Sequence, residues 1–357
     1  MKATVIYGKH DVRVESVPDP ELATKGPAAG PDAIVRVVAA CVCGSDLWPF
    51  RGLEPIEKPR RQGHEWVGVV EQIGSQVSTL SVGDFVIAPM YVCDGTCANC
   101  CNGMSVCCLG GGYWGSQIHQ QGFADAGQGE RVRVPFADAT LVAVPGGMPD
   151  PELIPHLLTL SDVMCTGHHA ARSADVHAAS TVAVIGDGAV GQCAIIASKR
   201  LGASRIVSMS RHESRQRLAK EFGATDIIPD RGDEAVSKLK DMFDGIGPDA
   251  VLECVGTELS MQTALRAVRP GGKVGYVGVP TGGSAKGLDM NLMFSEDKDV
   301  VGGLATVREY MGELMPDILS GKIAPGKVFD MELPLDDIVQ GYQAMDERRA
   351  IKVLIRA

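Results

Sequence analysis

The chain has 357 residues, with 34 Lys and Arg against 44 Asp and Glu, for a formal net charge of −10. At roughly 100–200 residues per domain that length suits two domains, and the acidic balance argues against nucleic acid or an anionic membrane as the main partner. Hydrophobic residues at 45% exclude a disordered chain, and 43 glycines without a G-X-Y period exclude collagen and point to many tight turns.

Met1–His10 is an alternating, strand-like stretch without the ~7–15 apolar residues of a secretory signal. No run approaches the ~18 consecutive apolar residues of a membrane span, so a cytoplasmic protein is expected. The runs Ala33–Ala40, Val67–Ile73 and Phe85–Pro89 are short, β-branched and broken by Gly, Pro and Asp. They predict an irregular β-rich domain over the first ~150 residues. Six of the eleven cysteines crowd between Cys93 and Cys108. In a reducing compartment such crowding favours metal ligation over disulfides, whereas the scattered Cys41, Cys165, Cys193 and Cys254 suit ordinary packing.

Pro149, Pro151 and Pro155 mark a junction, and from Thr181 the rhythm changes. Strands are predicted at Thr181–Ile185, Arg205–Met209, Asp249–Val255 and Lys273–Val279. Helices are predicted at Ala189–Leu201, Glu213–Phe222 and Leu259–Val268, an order that belongs to βαβ units and a parallel sheet. The tail ends in the strand Ile351–Ile355. Residues 155–299 are therefore expected as one domain, and residues 1–154 with 300–357 as the other. The fold class is α/β.

Gly186–Gly191, G-D-G-A-V-G, follows an apolar strand and opens a helix, the context a dinucleotide loop requires. Gly186 permits the tight turn, Gly188 admits a pyrophosphate to the backbone, and Gly191 allows close helix–strand packing. The N–H groups opening the helix at Ala189 and Val190 then face phosphate. An NAD site places Asp or Glu about 20 residues further on; here stand Ser210 and Arg211, with Arg215 a turn later. A hydroxyl and guanidinium groups suit a 2′-phosphate, so NADP(H) is the expected cofactor.

Cys43-Gly44-Ser45-Asp46, Gly63-His64-Glu65 and Asp162 supply a thiolate, an imidazole and a carboxylate, a zinc set with an open fourth position. With Gly63–Gly74, G-H-E-W-V-G-V-V-E-Q-I-G, and the V-G-D-F-V that follows, the chain resembles the zinc-containing medium-chain alcohol dehydrogenase family over nearly its whole length. The resemblance implies a Rossmann doubly wound domain and a β-rich GroES-like catalytic domain. It implies catalytic zinc on Cys43, His64 and Asp162, the last placed four residues before Thr166-Gly167, with Glu65 able to approach the metal. Asp46 then orients the histidine, and Ser45 matches a proton-relay hydroxyl. Many relatives continue the relay to a histidine where this chain has Trp48. Trp48 and Trp114 are candidates for the substrate pocket or for plain core packing. Thr166 falls where the family sets a hydroxyl against the nicotinamide, and Val277, Gly278 and Val279 where backbone meets the carboxamide.

The family's second, structural zinc uses C-x2-C-x2-C-x7-C, which falls here on Asp94, Cys97, Cys100 and Cys108. Either Cys93 or Asp94 could complete the tetrahedron. The implied activity is hydride transfer between NADP(H) and an alcohol, aldehyde or ketone, with zinc polarising the substrate oxygen. A polyol, sugar or amino-alcohol dehydrogenase is the alternative, and a non-catalytic NADPH or redox sensor a distant one. The partner is a small molecule, and relatives are homodimers or homotetramers.

Overall fold

In the computed structural model, which describes residues 1–23, 29–118, 122–123, 125–280 and 288–357, the first apolar run becomes the strand Ala33–Val42. It pairs antiparallel with Trp66–Ile73, with Arg131–Val134 and with Lys352–Arg356, inside a seven-stranded sheet. The alternation of β-branched residues drives this arrangement, because it turns one face of each strand inward. Val35, Val37, Val42, Phe50, Trp66, Val132, Tyr342 and Val353 meet in one buried cluster. Each such side chain contributes about 1.5–3 kcal/mol on leaving water. Register sets Leu354 opposite Cys41 and Val353 opposite Val42, so the end of the chain lies beside the start of the Cys43 turn.

Two compact units result: Met1–Asp162 with Thr306–Ala357, and Val163–Ala305. The chain passes between the units after Asp162 and again after Ala305. The helix Ile154–Leu158 packs on Ala33–Val42 and Trp66–Ile73, and the turn Thr159–Ser161 packs on the helix Val307–Leu319, which keeps residues 154–162 with the first unit.

The second unit is a six-stranded sheet, parallel throughout. From edge to edge it runs Asp226–Ile228, Arg205–Met209, Thr181–Ile185, Ala250–Glu253, Lys273–Tyr276 and Asp299–Gly302. In order of appearance that is 3-2-1-4-5-6, the doubly wound Rossmann topology, whose switch point lies beside Thr181–Ile185. The strand predicted through Val279 stops at Tyr276. Beyond it the N–H groups of Val277 and Gly278 both donate to the Glu253 carbonyl, at 2.9 and 3.1 Å, and the backbone leaves the ladder. Among the described residues, Asp226–Ile228, Asp299–Gly302 and the helices Val163–Ser173, Gly232–Asp241 and Met290–Glu296 belong to the unit beyond the elements predicted from sequence.

Candidate metal and dinucleotide sites

Four donors converge in the first unit. Cys43 follows the strand Ala33–Val42 and begins a turn in which its own N–H donates to Asp46 Oδ2 at 2.9 Å. His64 and Glu65 immediately precede the strand Trp66–Ile73. Gly63 before them sits at φ +105°, where a side chain would also run into Gln128. Asp162 ends the turn Thr159–Ser161.

The ligand atoms of Cys43, His64, Glu65 and Asp162 all lie within 4.8 Å of one another. His64 Nε2 is 3.5 Å from Asp162 Oδ2 and 4.0 Å from Glu65 Oε1, and Cys43 Sγ is 4.0 Å from Asp162 Oδ2. Zinc bonds of ~2.0–2.3 Å in a tetrahedron separate their donors by roughly 3.3–3.8 Å, so the spacing fits that ion. Burial works against a charged His64, but Cys43, Asp162 and Asp46 outweigh it and raise its pKa well above the ordinary value. A thiol, an imidazole and two carboxylates brought this close together are the donor types that zinc takes.

Behind these donors lies a buried polar frame. Asp46 Oδ1 stands 3.6 Å from His64 Nδ1, while Asp46 Oδ2 accepts from Gln128 Nε2 at 3.0 Å. Gln128 Oε1 in turn accepts from the Tyr342 hydroxyl at 2.8 Å. Lys352 Nζ donates to Glu65 Oε1 at 2.6 Å and to the Val42 carbonyl at 3.3 Å. Both members of that ion pair are fully enclosed. The second oxygen, Glu65 Oε2, is buried and accepts no hydrogen bond among the described residues. A buried carboxylate oxygen left without a donor is what a cation at this site would satisfy.

Ser45 and Trp48 are half-buried in and just after the same turn. Trp114 belongs to the core instead: it is 7% exposed, lies edge-on to Trp66 at 5.3 Å, and its indole N–H donates to the Pro89 carbonyl at 2.7 Å. Its N–H finds a partner within the core, which fits a packing role rather than a pocket wall.

A second donor set lies in the cysteine-rich segment. Asp94, Cys97, Cys100 and Cys108 offer ligand atoms within 4.8 Å of one another. Cys97 Sγ is 3.5 Å from Cys100 Sγ and 3.9 Å from Cys108 Sγ, and all three thiols are free. Cys93 points elsewhere, its thiol donating to the Ala139 carbonyl at 3.2 Å. Burial pushes that thiol up to about 12. Cys101 and Cys107 are exposed.

In the second unit the glycine loop has the form its sequence suggests. Gly186 adopts φ +116°, and a Cβ on Gly191 would stand 1.9 Å from the Gly186 carbonyl oxygen. No side chain caps the helix Ala189–Arg200, so its first N–H groups are available to phosphate. Thr166 is buried on the helix Val163–Ser173. Val277–Val279 follow the fifth strand of the unit, where a Cβ on Gly278 would strike the Gly256 nitrogen. Ser210 is buried at the end of Arg205–Met209, Arg215 is half-buried and Arg211 is exposed. Ser210 Oγ donates to Asp187 Oδ2 at 2.8 Å, and Arg215 Nη1 to Asp187 Oδ1 at 3.1 Å.

Residues 29–146 match the alcohol dehydrogenase GroES-like domain, and residues 189–320 the zinc-binding dehydrogenase family. The chain is 35% identical to the "Probable zinc-binding alcohol dehydrogenase Rv1895" of Mycobacterium tuberculosis, over 96% of this chain and 84% of that one. It belongs to the zinc-containing alcohol dehydrogenase family. Among solved members, alcohol dehydrogenase TADH from Thermus sp. ATN1 superposes with a TM-score of 0.90 at 33% identity, covering 100% of this chain and 99% of that one. A zinc-binding dehydrogenase from Sinorhizobium meliloti solved with NADP superposes at 0.82 with 25% identity, covering 100% and 99%. As a member of this family the protein is an oxidoreductase. Motif reading misses Lys352, Gln128, Tyr342 and Asp187 in this dehydrogenase. The one local signal is Lys352 itself, a charge inside the otherwise apolar run Ile351–Ile355.

Proposed function

We propose that the protein is a zinc-dependent, NADP(H)-using alcohol dehydrogenase or carbonyl reductase. The observation that carries this reading is the convergence of Cys43, His64, Glu65 and Asp162 on one point, with donor spacings that suit zinc. A zinc ion held here would supply Lewis acidity at a substrate oxygen, and a bound nicotinamide would supply or accept the hydride. Cys43, His64 and Asp162 would hold the metal, three protein ligands of the kind a catalytic zinc uses. Glu65 stands by as a further carboxylate, tethered through one oxygen by Lys352. Asp46 orients the His64 ring and is itself held by Gln128 and Tyr342. Ser45 provides the hydroxyl through which the substrate proton leaves, and Trp48 takes a place beside the substrate.

The glycine loop and the uncapped helix behind it receive the pyrophosphate, and Thr166 with Val277–Val279 receive the nicotinamide. Ser210, Arg211 and Arg215 favour a 2′-phosphate, since no acidic residue stands at the end of Arg205–Met209. Asp94, Cys97, Cys100 and Cys108 hold a second zinc, with four protein ligands and a structural role.

His64→Ala tests the catalytic assignment. The variant is expected to lose one zinc by elemental analysis and its turnover of aldehydes, while its affinity for 2′,5′-ADP is unchanged. Full turnover without that zinc would overturn the assignment.

A further inference from the structure

The glycine loop brings its own carboxylate to the residues that would read a 2′-phosphate. In NAD sites the acid that bonds the ribose stands at the end of the second strand. Here that place is Ser210, and the acid arrives from the loop between Gly186 and Gly188. Asp187 Oδ2 accepts the Ser210 hydroxyl at 2.8 Å, and Oδ1 accepts from Arg215 Nη1 at 3.1 Å. The contact is sheltered, with 18% of the Asp187 side chain and 12% of the Arg215 side chain exposed.

We propose that Asp187 sets how strongly this protein discriminates between the two nicotinamide dinucleotides, by holding the donors that a 2′-phosphate needs. The inference rests on the NADP(H) reading above. Ser210 has a single O–H, and a proton donated to Asp187 is not donated to phosphate. Arg215 also donates to this carboxylate, which answers part of its charge. A phosphate arriving at these donors also meets a fixed like charge where screening by water is weak. The same carboxylate is an acceptor for the 2′-hydroxyl of an unphosphorylated ribose. Asp187 therefore opposes NADP(H) and supports NAD(H), and the preference for NADP(H) is held below what Ser210 and Arg215 alone would give.

Calorimetry on the full chain with 2′,5′-ADP and 5′-AMP tests this without turnover. Asp187→Asn keeps the shape and removes the charge. It is expected to bind 2′,5′-ADP about tenfold more tightly, as one like charge leaves a sheltered anion site, and 5′-AMP no better than before. Asp187→Ser, which has no carboxylate and a smaller side chain, is expected to shift the ratio of the two affinities the same way. It serves if the asparagine variant does not fold. An unchanged ratio, or weaker 2′,5′-ADP binding, in the folded variants would overturn the proposal and make Asp187 a mere organiser of Arg215. The NADP(H) reading fails separately, if the unmodified protein binds 5′-AMP at least as tightly as 2′,5′-ADP. A ratio that still rises in Asp187→Asn would then leave the role of Asp187 standing.

Discussion

Lys352 and Glu65 form a buried ion pair behind the converging donors Cys43, His64 and Asp162. Burial acts to lower the pKa of Lys352, yet Cys41 and Glu65 raise it well above the ordinary lysine value, and Lys352 Nζ lies 2.6 Å from Glu65 Oε1. Removing one partner of a buried pair leaves the other charged in a poor solvent, at a cost of about 3–5 kcal/mol. Lys352→Met is therefore expected to lower unfolding stability by about that amount in urea titration. Lys352→Arg, which keeps the charge, should lose much less. Equal losses in the two variants would mean that packing, not charge, is what the site requires of this position. In the cysteine segment, Asp94→Ala should release one zinc per chain by elemental analysis and Cys93→Ala should release none, because only Asp94 faces the three thiols. The reverse result would restore Cys93 as the fourth ligand.

At the scale of elements, the glycine loop binds strand, turn and helix into one object. With its ideal Cβ 1.9 Å from the Gly186 carbonyl oxygen, Gly191→Ala must push the helix Ala189–Arg200 away from the strand Thr181–Ile185. Overpacking of this kind costs about 1–3 kcal/mol. The variant is expected to melt earlier and to lose 2′,5′-ADP binding, and unaltered binding would contradict the role given to the loop. Elements of this unit were legible because their apolar runs are long and their turns are marked by glycine. Asp226–Ile228, at three residues, is too short for period-two alternation to show. The end of Lys273–Tyr276 was hidden as well, since the apolar pattern runs on through Val277 and Val279 while the backbone turns to Glu253.

Over the whole molecule, the converging donors and the glycine loop were legible and the groups that hold them were not. Cys43, His64 and the glycine loop announce themselves by residue type within short motifs. Lys352 reaches Glu65 across 287 residues of sequence, Tyr342 reaches Gln128 across 214, and Gln128 reaches Asp46 across 82. Such pairings are created by sheet register, as when Lys352–Arg356 is laid against Ala33–Val42, and no local spacing encodes them. One unit carries the four converging donors Cys43, His64, Glu65 and Asp162, and the other carries the glycine loop Gly186–Gly191. The most direct test is the rate of reduced-nicotinamide oxidation with a panel of aldehydes and ketones, measured with NADPH and with NADH before and after chelation. A zinc-assisted, NADP(H)-preferring hydride transfer predicts a higher kcat/KM with NADPH, loss of turnover on chelation and recovery with added zinc. Turnover that survives complete removal of zinc, or a higher kcat/KM with NADH, would contradict it.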